Sequence, residues 1–267
     1  IQFDYKTPYT MGANFTAQYQ LTPSMSVQAG YVTNQGRHLE VFPNSNNVRT
    51  IVDTSLNPKN FRPFPVFGSG SSYATTNGNS IYHGLQTKIE KQFADGLNFL
   101  ATYTYSKTTT DAGDLLNGGS TAGFRAPDVP GAGIHFDYGR ASFDIRHVVH
   151  LSGTYELPFG KGRKYMSDGG GFANAVAGGW SVNWVATLQG GQPITLSCPT
   201  GTASGTGCYD LLVKGQSPKL GLHRDAQGKL SFFGNPAAFS QPCKLVAGGV
   251  PDSTSKNAVP GCVPLTG

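Results

Sequence analysis

The chain has 267 residues, and Asp, Glu, Lys and Arg make up only 13% of them, about half of the roughly 25% of an average soluble domain. Hydrophobic residues make up 38%, and no apolar run reaches the roughly 18 residues of a membrane-spanning helix, which excludes a helical membrane protein. The net charge is +5, but Lys and Arg are scattered singly apart from residues 161–164, which argues against nucleic-acid binding.

The composition predicts an ordered chain that is rich in β-strands. Aromatic residues make up 11%, more than a disordered segment carries. The sequence starts at Ile1 without an initiator Met or a charged-then-apolar leader. We therefore expect it to be a segment of a longer protein.

Six segments alternate between apolar and polar side chains, as a strand must when it separates an apolar medium from a polar one. They cover residues 9–21, 25–34, 81–93, 97–106, 145–157 and 180–189. Their lengths of about 10 to 15 residues exceed the about 5 or 6 of globular strands and suit tilted membrane strands. The polar faces are rich in Gln, Asn, Thr and Ser, as a wet lumen would be. The sequence thus predicts an all-β fold, an antiparallel transmembrane β-barrel arc.

The lengths of the connections predict which end faces the cell exterior, because bacterial barrels have short periplasmic turns and long extracellular loops. Tight turns join residues 21 to 25 and 93 to 97. Long connections cover about 34–80 and 110–142, so we place that end outside. Residues 158–178 are then an unusually long periplasmic turn. Up-and-down parity makes 62–76 an extended hairpin arm above the membrane.

The same patterns divide the chain into two parts. Residues 1–197 hold the barrel strands and their loops, and residues 198–267 form a Cys-, Gly- and Pro-rich extracellular loop region with room for a partial strand. Six spans are fewer than the roughly eight strands of the smallest closed barrels. Either the 62–76 arm and a weak strand near 229–233 complete a small barrel, or the chain is an arc of a larger one, which we favour.

Several patches carry a family resemblance. They are Gly78–Gln86, Gly96–Lys107, Phe143–His147, Tyr155–Arg163, Gly178–Pro193 and Arg62–Pro65. In this order, over roughly residues 5–197, the chain resembles the barrels of Oar-like TonB-dependent outer-membrane receptors. The resemblance implies a barrel of about 22 strands with a plug domain, which imports a ligand with energy from the TonB complex. We expect this chain to be a portion of such a barrel, without the plug and without the C-terminal strands.

The resemblance also implies the setting of the protein. It places the chain in the outer membrane of a Gram-negative-type bacterium, with membrane lipid, an unidentified ligand, a plug domain and the TonB complex as partners. Two other functions stay open from the residues alone. One is a small closed barrel that acts as an adhesin or structural anchor, and the other is a soluble extracellular carbohydrate-binding β-protein.

Polar and charged side chains on the predicted lumen faces are the candidate site residues, because they would meet a ligand on its way through. They are Gln86, Lys88, Glu90, Arg146, His150 and Glu156. We expect them to supply any electrostatic selectivity.

The four cysteines lie in the last third of the chain and are candidates for disulfide bonds. They are Cys198, Cys208, Cys243 and Cys262. An even number outside the cytoplasm favours two bridges, and of the three possible pairings we favour the sequential one. A zinc site is the rival, but spacings of 10, 35 and 19 include no Cys-x-x-Cys pair.

The sequence patterns predict no enzyme, no cofactor and no metal site. His147 and His150 are three residues apart on a strand, so they face opposite sides and cannot share an ion. Neither Gly-x-Ser-x-Gly nor a phosphate-loop spacing occurs. Asp111 and Asp114 could hold calcium, but a solvated turn is the favoured interpretation because no further acidic ligands follow.

Overall fold

One antiparallel sheet dominates the computed structural model. Its long strands follow the chain as β1 (Tyr9–Thr22), β2 (Met25–Val41), β3 (Thr75–Ala94), β4 (Leu97–Thr110), β6 (His147–Glu156) and β7 (Ser181–Gln189), and a two-residue strand β5 (Gly139–Arg140) pairs with β4. The order across the sheet is β1-β2-β3-β4-β6-β7. Every long strand therefore pairs with its neighbour in the chain, the arrangement of an up-and-down barrel wall.

The remaining elements are short. A 3-10 helix covers Pro58–Phe61, helix α1 covers Gly171–Ala177, and a second 3-10 helix covers Pro236–Ala238. Three two-stranded sheets pair β9 (Lys219–Arg224) with β10 (Leu230–Phe233), β8 (Leu211–Leu212) with β11 (Phe239–Ser240), and β12 (Lys244–Leu245) with β13 (Pro251–Asp252).

The structure describes most of the first two thirds of the chain and parts of the last third. The described residues are 3–43, 45–46, 48, 52, 56–68, 73–112, 138–167, 170–194, 211–213, 215–224, 226–228, 230–240, 244–245 and 251–252. Within this part of the chain, none of the helices has the length and the apolar character that a membrane crossing requires.

The six predicted strands and their short turns are confirmed. Asp95 and Gly96 link β3 to β4 with φ angles of 53° and 77°. Two successive positive φ angles define the turn that matches the twist of paired strands, and Asp-Gly is a preferred sequence for it. The long connection at the same end as this turn, between Glu156 and Ser181, also agrees with the sequence prediction.

Strands β2 and β3 extend well beyond their predicted ends. Val41 pairs with Thr75, and the register shifts on either side of Leu39. His38 has a φ of 53°, a bulge conformation that reverses the alternation of faces. The predicted boundary at residue 34 was wrong, because the pairing continues unshifted to Gly36 although Gln35, Gly36 and Arg37 show no apolar alternation. The bulge hides the period of two only beyond these residues.

The predicted hairpin over residues 62–76 is wrong. Residues 62–68 form turns after the first 3-10 helix, and Thr75 and Thr76 already belong to β3. The sheet is extended towards the long loops instead by the ends of β2 and β3, where Val41 pairs with Thr75. Likewise, Leu230–Phe233 pairs with β9 and not with the large sheet, so in the described residues it does not complete a small barrel.

The buried core lies at the end of the sheet that carries the long loops. Its apolar members are Val41, Val48, Val52, Ala112 and Ala141, and Thr75, Thr76, Thr110, Asp111 and Asp144 are buried with them. The middle of the sheet has no such core, because its side chains point to two different exteriors. Packing therefore stabilises the outer loops, whereas backbone pairing holds the long strands together.

Candidate functional site: a polar row across the sheet

A continuous row of polar side chains crosses all six long strands. Register partners lie side by side on one face of an antiparallel sheet, so the row can be followed from strand to strand. It consists of Gln18, Gln28, Lys88, Thr102, His150 and Thr187. No apolar side chain interrupts it.

The row one residue further along the strands has the opposite character and faces the opposite side. It consists of Tyr19, Val27, Ile89, Ala101, Leu151 and Ala186. Large side chains on this face are exposed; Phe15, for example, is 74% exposed. A soluble protein rarely leaves so broad an apolar surface uncovered. One face of the sheet thus suits lipid and the other suits water.

The candidate residues on β3 and β6 lie on the polar face, at different positions along the strand direction. Gln86 pairs with Gly30 and Thr104, and Glu90 pairs with Ser26 and Leu100. Lys88 and His150 share the polar row, with the strand of Thr102 between them, so their backbones are about 10 Å apart. These four side chains form one cluster near the middle of the sheet.

Arg146 and Glu156 are not brought together. Arg146 directly precedes β6, and its carbonyl oxygen accepts a 2.9 Å hydrogen bond from the Ser106 amide. Glu156 ends β6 at the short-turn end, where its carboxylate pairs with Arg163. Ten residue steps separate them, about 33 Å along a strand. Arg146 therefore lies towards the end with the long loops, and Glu156 lies at the short-turn end.

Hydrogen bonds fix several polar side chains on this face. Lys88 Nζ and Glu90 Oε2 form an ion pair 3.0 Å long. His150 Nδ1 lies 3.0 Å from Thr187 Oγ1, which links β6 to β7. Arg146 Nε is buried and has no hydrogen-bond partner among the described residues, although the residue as a whole is half-buried. These groups leave the polar face with both positive and negative charge.

The register added residues that sequence reasoning did not single out. Gln18, Gln28, Thr102 and Thr187 complete the row that Lys88 and His150 begin. Alternation alone shows which face a residue occupies but not which residues on other strands stand beside it. Counting outward from the Asp95-Gly96 turn would have placed Lys88 opposite Tyr103, because the register shifts by one residue between Lys91 and Ala94.

A buried asparagine organises the outer loop between β2 and β3. Asn46 is 2% exposed. Its Nδ2 donates to the carbonyls of Phe64 (2.9 Å), Phe67 (2.7 Å) and Gly68 (2.9 Å), and its Oδ1 accepts from the Phe64 amide at 2.9 Å. The turn that it holds presents Phe64, Val66 and Phe67 to solvent, with Val66 88% exposed. We call Phe64, Val66 and Phe67 the apolar tip.

Two buried carboxylates fix the ends of the strands beneath the outer loops. Asp144 accepts from the Thr108 amide at 2.8 Å and pairs with Arg140 at 2.7 Å. Asp111 is 0% exposed and accepts a hydrogen bond from the Asn79 amide. The solvated-turn interpretation of Asp111 was therefore wrong, because its carboxylate replaces a backbone acceptor at the end of β4.

The structure describes only some of the residues that were considered for disulfide bonds or for metal binding. Cys198, Cys208, Cys243 and Cys262 lie outside the described residues, as does Asp114. In the described ranges, no group of three or more His, Cys, Asp and Glu side chains could hold a metal ion. His147 and His150 do face opposite sides, since His147 contacts Tyr103 and His150 contacts Thr187.

The geometry defines a class of protein. An antiparallel sheet with long strands in chain order, one apolar face and one polar face is the wall of a transmembrane β-barrel. A family model described as outer membrane beta barrel domain matches residues 1–261, and the chain belongs to that family. The protein lies in the outer membrane of Gram-negative bacteria. The soluble carbohydrate-binding alternative is thereby wrong. No curated protein and no solved structure matches the chain.

Proposed function

We propose that the chain forms part of the wall of an Oar-like TonB-dependent receptor and lines the route of a ligand across the outer membrane. The polar row across six strands carries this proposal. Membrane barrels place polar side chains on the lumen side, and this row gives that side a polar lining on all six long strands. The family resemblance over roughly residues 5–197 supplies the TonB-dependent part of the proposal.

Charge on the polar face would then select among ligands. Lys88, Glu90 and His150 stand near the middle of the route, with Gln86 beside them, whereas Arg146 and Glu156 mark its two ends. A charged ligand would meet Arg146 first from outside and Glu156 last. The plug domain and the TonB complex are the partners that such a receptor requires. No step of this proposal involves catalysis, a cofactor or a metal.

Cysteine accessibility in the intact outer-membrane protein tests the route. Thr102→Cys lies in the polar row, and Ala101→Cys lies in the apolar row next to it on the same strand. A membrane-impermeant maleimide applied to whole cells should label Thr102→Cys above the wild-type background and leave Ala101→Cys at background. Equal labelling of the two variants would contradict a wet lumen on this face.

A second measurement tests the TonB-dependent part separately. The intact protein is mixed with the purified periplasmic domain of TonB, and co-precipitation is measured with and without an excess of unlabelled domain. A receptor of this kind should bind specifically. A labelled Thr102→Cys together with no TonB binding would leave a water-filled barrel and would reject the TonB-dependent receptor.

One observation favours a second function, that of an adhesin or structural anchor. The apolar tip is held rigid by Asn46 and is exposed on the outer side. A preorganised apolar projection loses little entropy when it enters a pocket of a partner. Cell adhesion that is lost in the triple variant Phe64→Ser, Val66→Ser and Phe67→Ser, with TonB binding absent, would support this function.

A further inference from the structure

Two tyrosine–histidine pairs recur on the apolar face, near the end of the sheet that carries the long loops. Tyr31 Oη lies 2.6 Å from His83 Nδ1, and Tyr103 Oη lies 2.9 Å from His147 Nδ1. Both pairs are stacked with interplanar angles of 19°. When the phenol donates to Nδ1 of a neutral imidazole, the ring proton sits on Nε2. Each exposed histidine can then donate a hydrogen bond outward.

An exposed lysine lies between the two histidines. Lys107 is the register partner of His83, which puts their Cβ atoms about 5 Å apart. His147 pairs with Tyr105, two residues from Lys107, and so is a diagonal neighbour at about 7 to 8 Å. Lys107, His83 and His147 therefore form one cluster of donors on three adjacent strands. We call it the donor cluster.

Among the described residues, the rows of register partners around the donor cluster contain no carboxylate side chain. Four successive rows of register partners in β1 to β6 cover this region. Starting at the long-loop end, the first row contains Met11, Gln35, Ile81, Thr109 and Arg140, and the second contains Ala13, Thr33, His83 and Lys107. The third row contains Phe15, Tyr31, Leu85, Tyr105 and His147, and the fourth contains Ala17, Ala29, Thr87, Tyr103 and Val149. Arg140 is paired with Asp144, but no described carboxylate in these rows compensates the charge of Lys107, which stands beside the hydrogen-bond donors His83 and His147. Such a surface fits a phosphate group.

The position of the donor cluster identifies the source of the phosphate. The cluster lies on the face that suits lipid, and Tyr31, Tyr103 and Tyr105 flank it as an aromatic girdle does at the level of the lipid headgroups. The long loops place this end at the outer leaflet. A soluble phosphate ligand would instead be expected on the polar face or in the loops.

We propose that Lys107, His83 and His147 bind a phosphate group of the phosphorylated glycolipid in the outer leaflet. Lys107 supplies the charge, and the two imidazoles, oriented by Tyr31 and Tyr103, donate hydrogen bonds. Arg140 stands in the next row towards the loops, and its charge is shared with Asp144. The site would anchor the barrel at a fixed depth in the membrane, whatever passes through its lumen.

The test uses the intact protein in phosphatidylcholine nanodiscs that contain either bisphosphorylated lipid A or the same lipid without phosphates. Native mass spectrometry counts the lipid that the protein retains. Lys107→Gln should weaken retention of the phosphorylated lipid about fivefold, which corresponds to about 1 kcal/mol per cation at a membrane surface. The triple variant H83Q, K107Q and H147Q should weaken it more, and Lys107→Arg should restore it.

Lys91 provides the matched control. It lies on the same face of the sheet as Lys107, but on the neighbouring strand β3 and in the row of Met25 and Phe99 at the short-turn end. Lys91→Gln should leave retention unchanged. Equal losses in Lys91→Gln and Lys107→Gln, or equal retention of the lipid without phosphates, would overturn the proposal. Full competition by millimolar inorganic phosphate would also overturn it, because a free anion would then be the ligand.

Discussion

The indole of Trp184 lies against the backbone of Gly153 on the neighbouring strand. The two residues are register partners on the apolar face, and a Cβ atom at Gly153 would overlap the six-membered part of the indole ring. Only glycine leaves room for a large ring to lie flat on a sheet, and the ring in turn covers the exposed backbone of the glycine. This contact joins β6 to β7 near the short-turn end.

Gly153→Ala should therefore impair barrel assembly. The added methyl group meets the indole and the Asn98 carbonyl oxygen, and such overpacking costs about 1 to 3 kcal/mol. Urea unfolding of the intact protein in detergent micelles, followed by heat-modifiable mobility in electrophoresis, measures the loss. Gly12→Ala is the control, because its Cβ atom would have no neighbour closer than 3.7 Å. Equal stability of the two variants would contradict the contact.

Asn46→Asp should release the apolar tip. Asn46 Nδ2 donates to three carbonyl oxygens, and a carboxylate oxygen in its place would repel all three. Loss of these buried bonds costs about 1 to 3 kcal/mol. Hydrogen exchange of the Phe64 amide should accelerate by about fivefold or more, the factor that corresponds to the lower end of this range. Asn57→Asp is the control and should leave this exchange unchanged. Asn57 Oδ1 accepts a hydrogen bond from the Lys59 amide at the start of the 3-10 helix, and an Asp carboxylate can accept the same bond. Unchanged exchange in Asn46→Asp would show that the turn holds itself.

Asp144→Asn should loosen the connection between β4 and β5. The carboxylate is 2% exposed and both binds the Thr108 amide and pairs with Arg140, so its neutral replacement weakens two contacts at once. Arg140 is partly exposed, which limits the expected loss to about 1 to 2 kcal/mol. Limited proteolysis of whole cells should cut this connection faster. The control is Asp4→Asn, whose carboxylate is exposed and 3.9 Å from Lys6; a matching increase there would point to a general effect of lost charge.

Adjacent residues of β6 should tolerate a positive charge very differently. Leu151→Lys places an ammonium on the lipid-facing side near the middle of the sheet, which costs about 2 to 4 kcal/mol in a membrane barrel. His150→Lys places the same group in the polar row, where its cost should stay below about 1 kcal/mol. Urea unfolding of both variants in lipid vesicles gives the comparison. Similar destabilisation would show that the two faces have been assigned wrongly or that neither faces lipid.

Alternation of side chains was sufficient to predict the long strands, because the difference between lipid and water acts on every second residue. The clearest example is β4, where both ends of the predicted segment 97–106 lie inside the observed strand. The outer parts of β2 and β3 were not predicted, because residues 35–37 and 75–80 are all polar or glycine and show no alternation. Beyond residue 37, the bulge around His38 and Leu39 also shifts the register of β2. Beyond the membrane, both faces of a strand meet water, so apolar and polar side chains no longer need to alternate.

The candidate site was predicted by residue type but not by arrangement. Lys88 and His150 were recognised as lumen-facing, yet their place in one row depends on the registers of two strand pairs. The structural roles of Asn46 and Asp144 were not predictable, because each depends on backbone groups that are distant in the sequence and are brought together only by the loop fold. The same holds for the donor cluster, whose three members come from three strands.

The length of β3 has a consequence for what the outer loop can reach. Its 20 residues extend about 66 Å, or roughly 50 Å along the membrane normal at the usual barrel tilt, of which the hydrocarbon layer takes about 25 Å. The surplus at the outer end lifts the apolar tip by roughly 20 Å, past the level of the lipid headgroups. The loop between β2 and β3 therefore stands clear of the membrane surface, where a partner too large to enter the barrel lumen could still contact it.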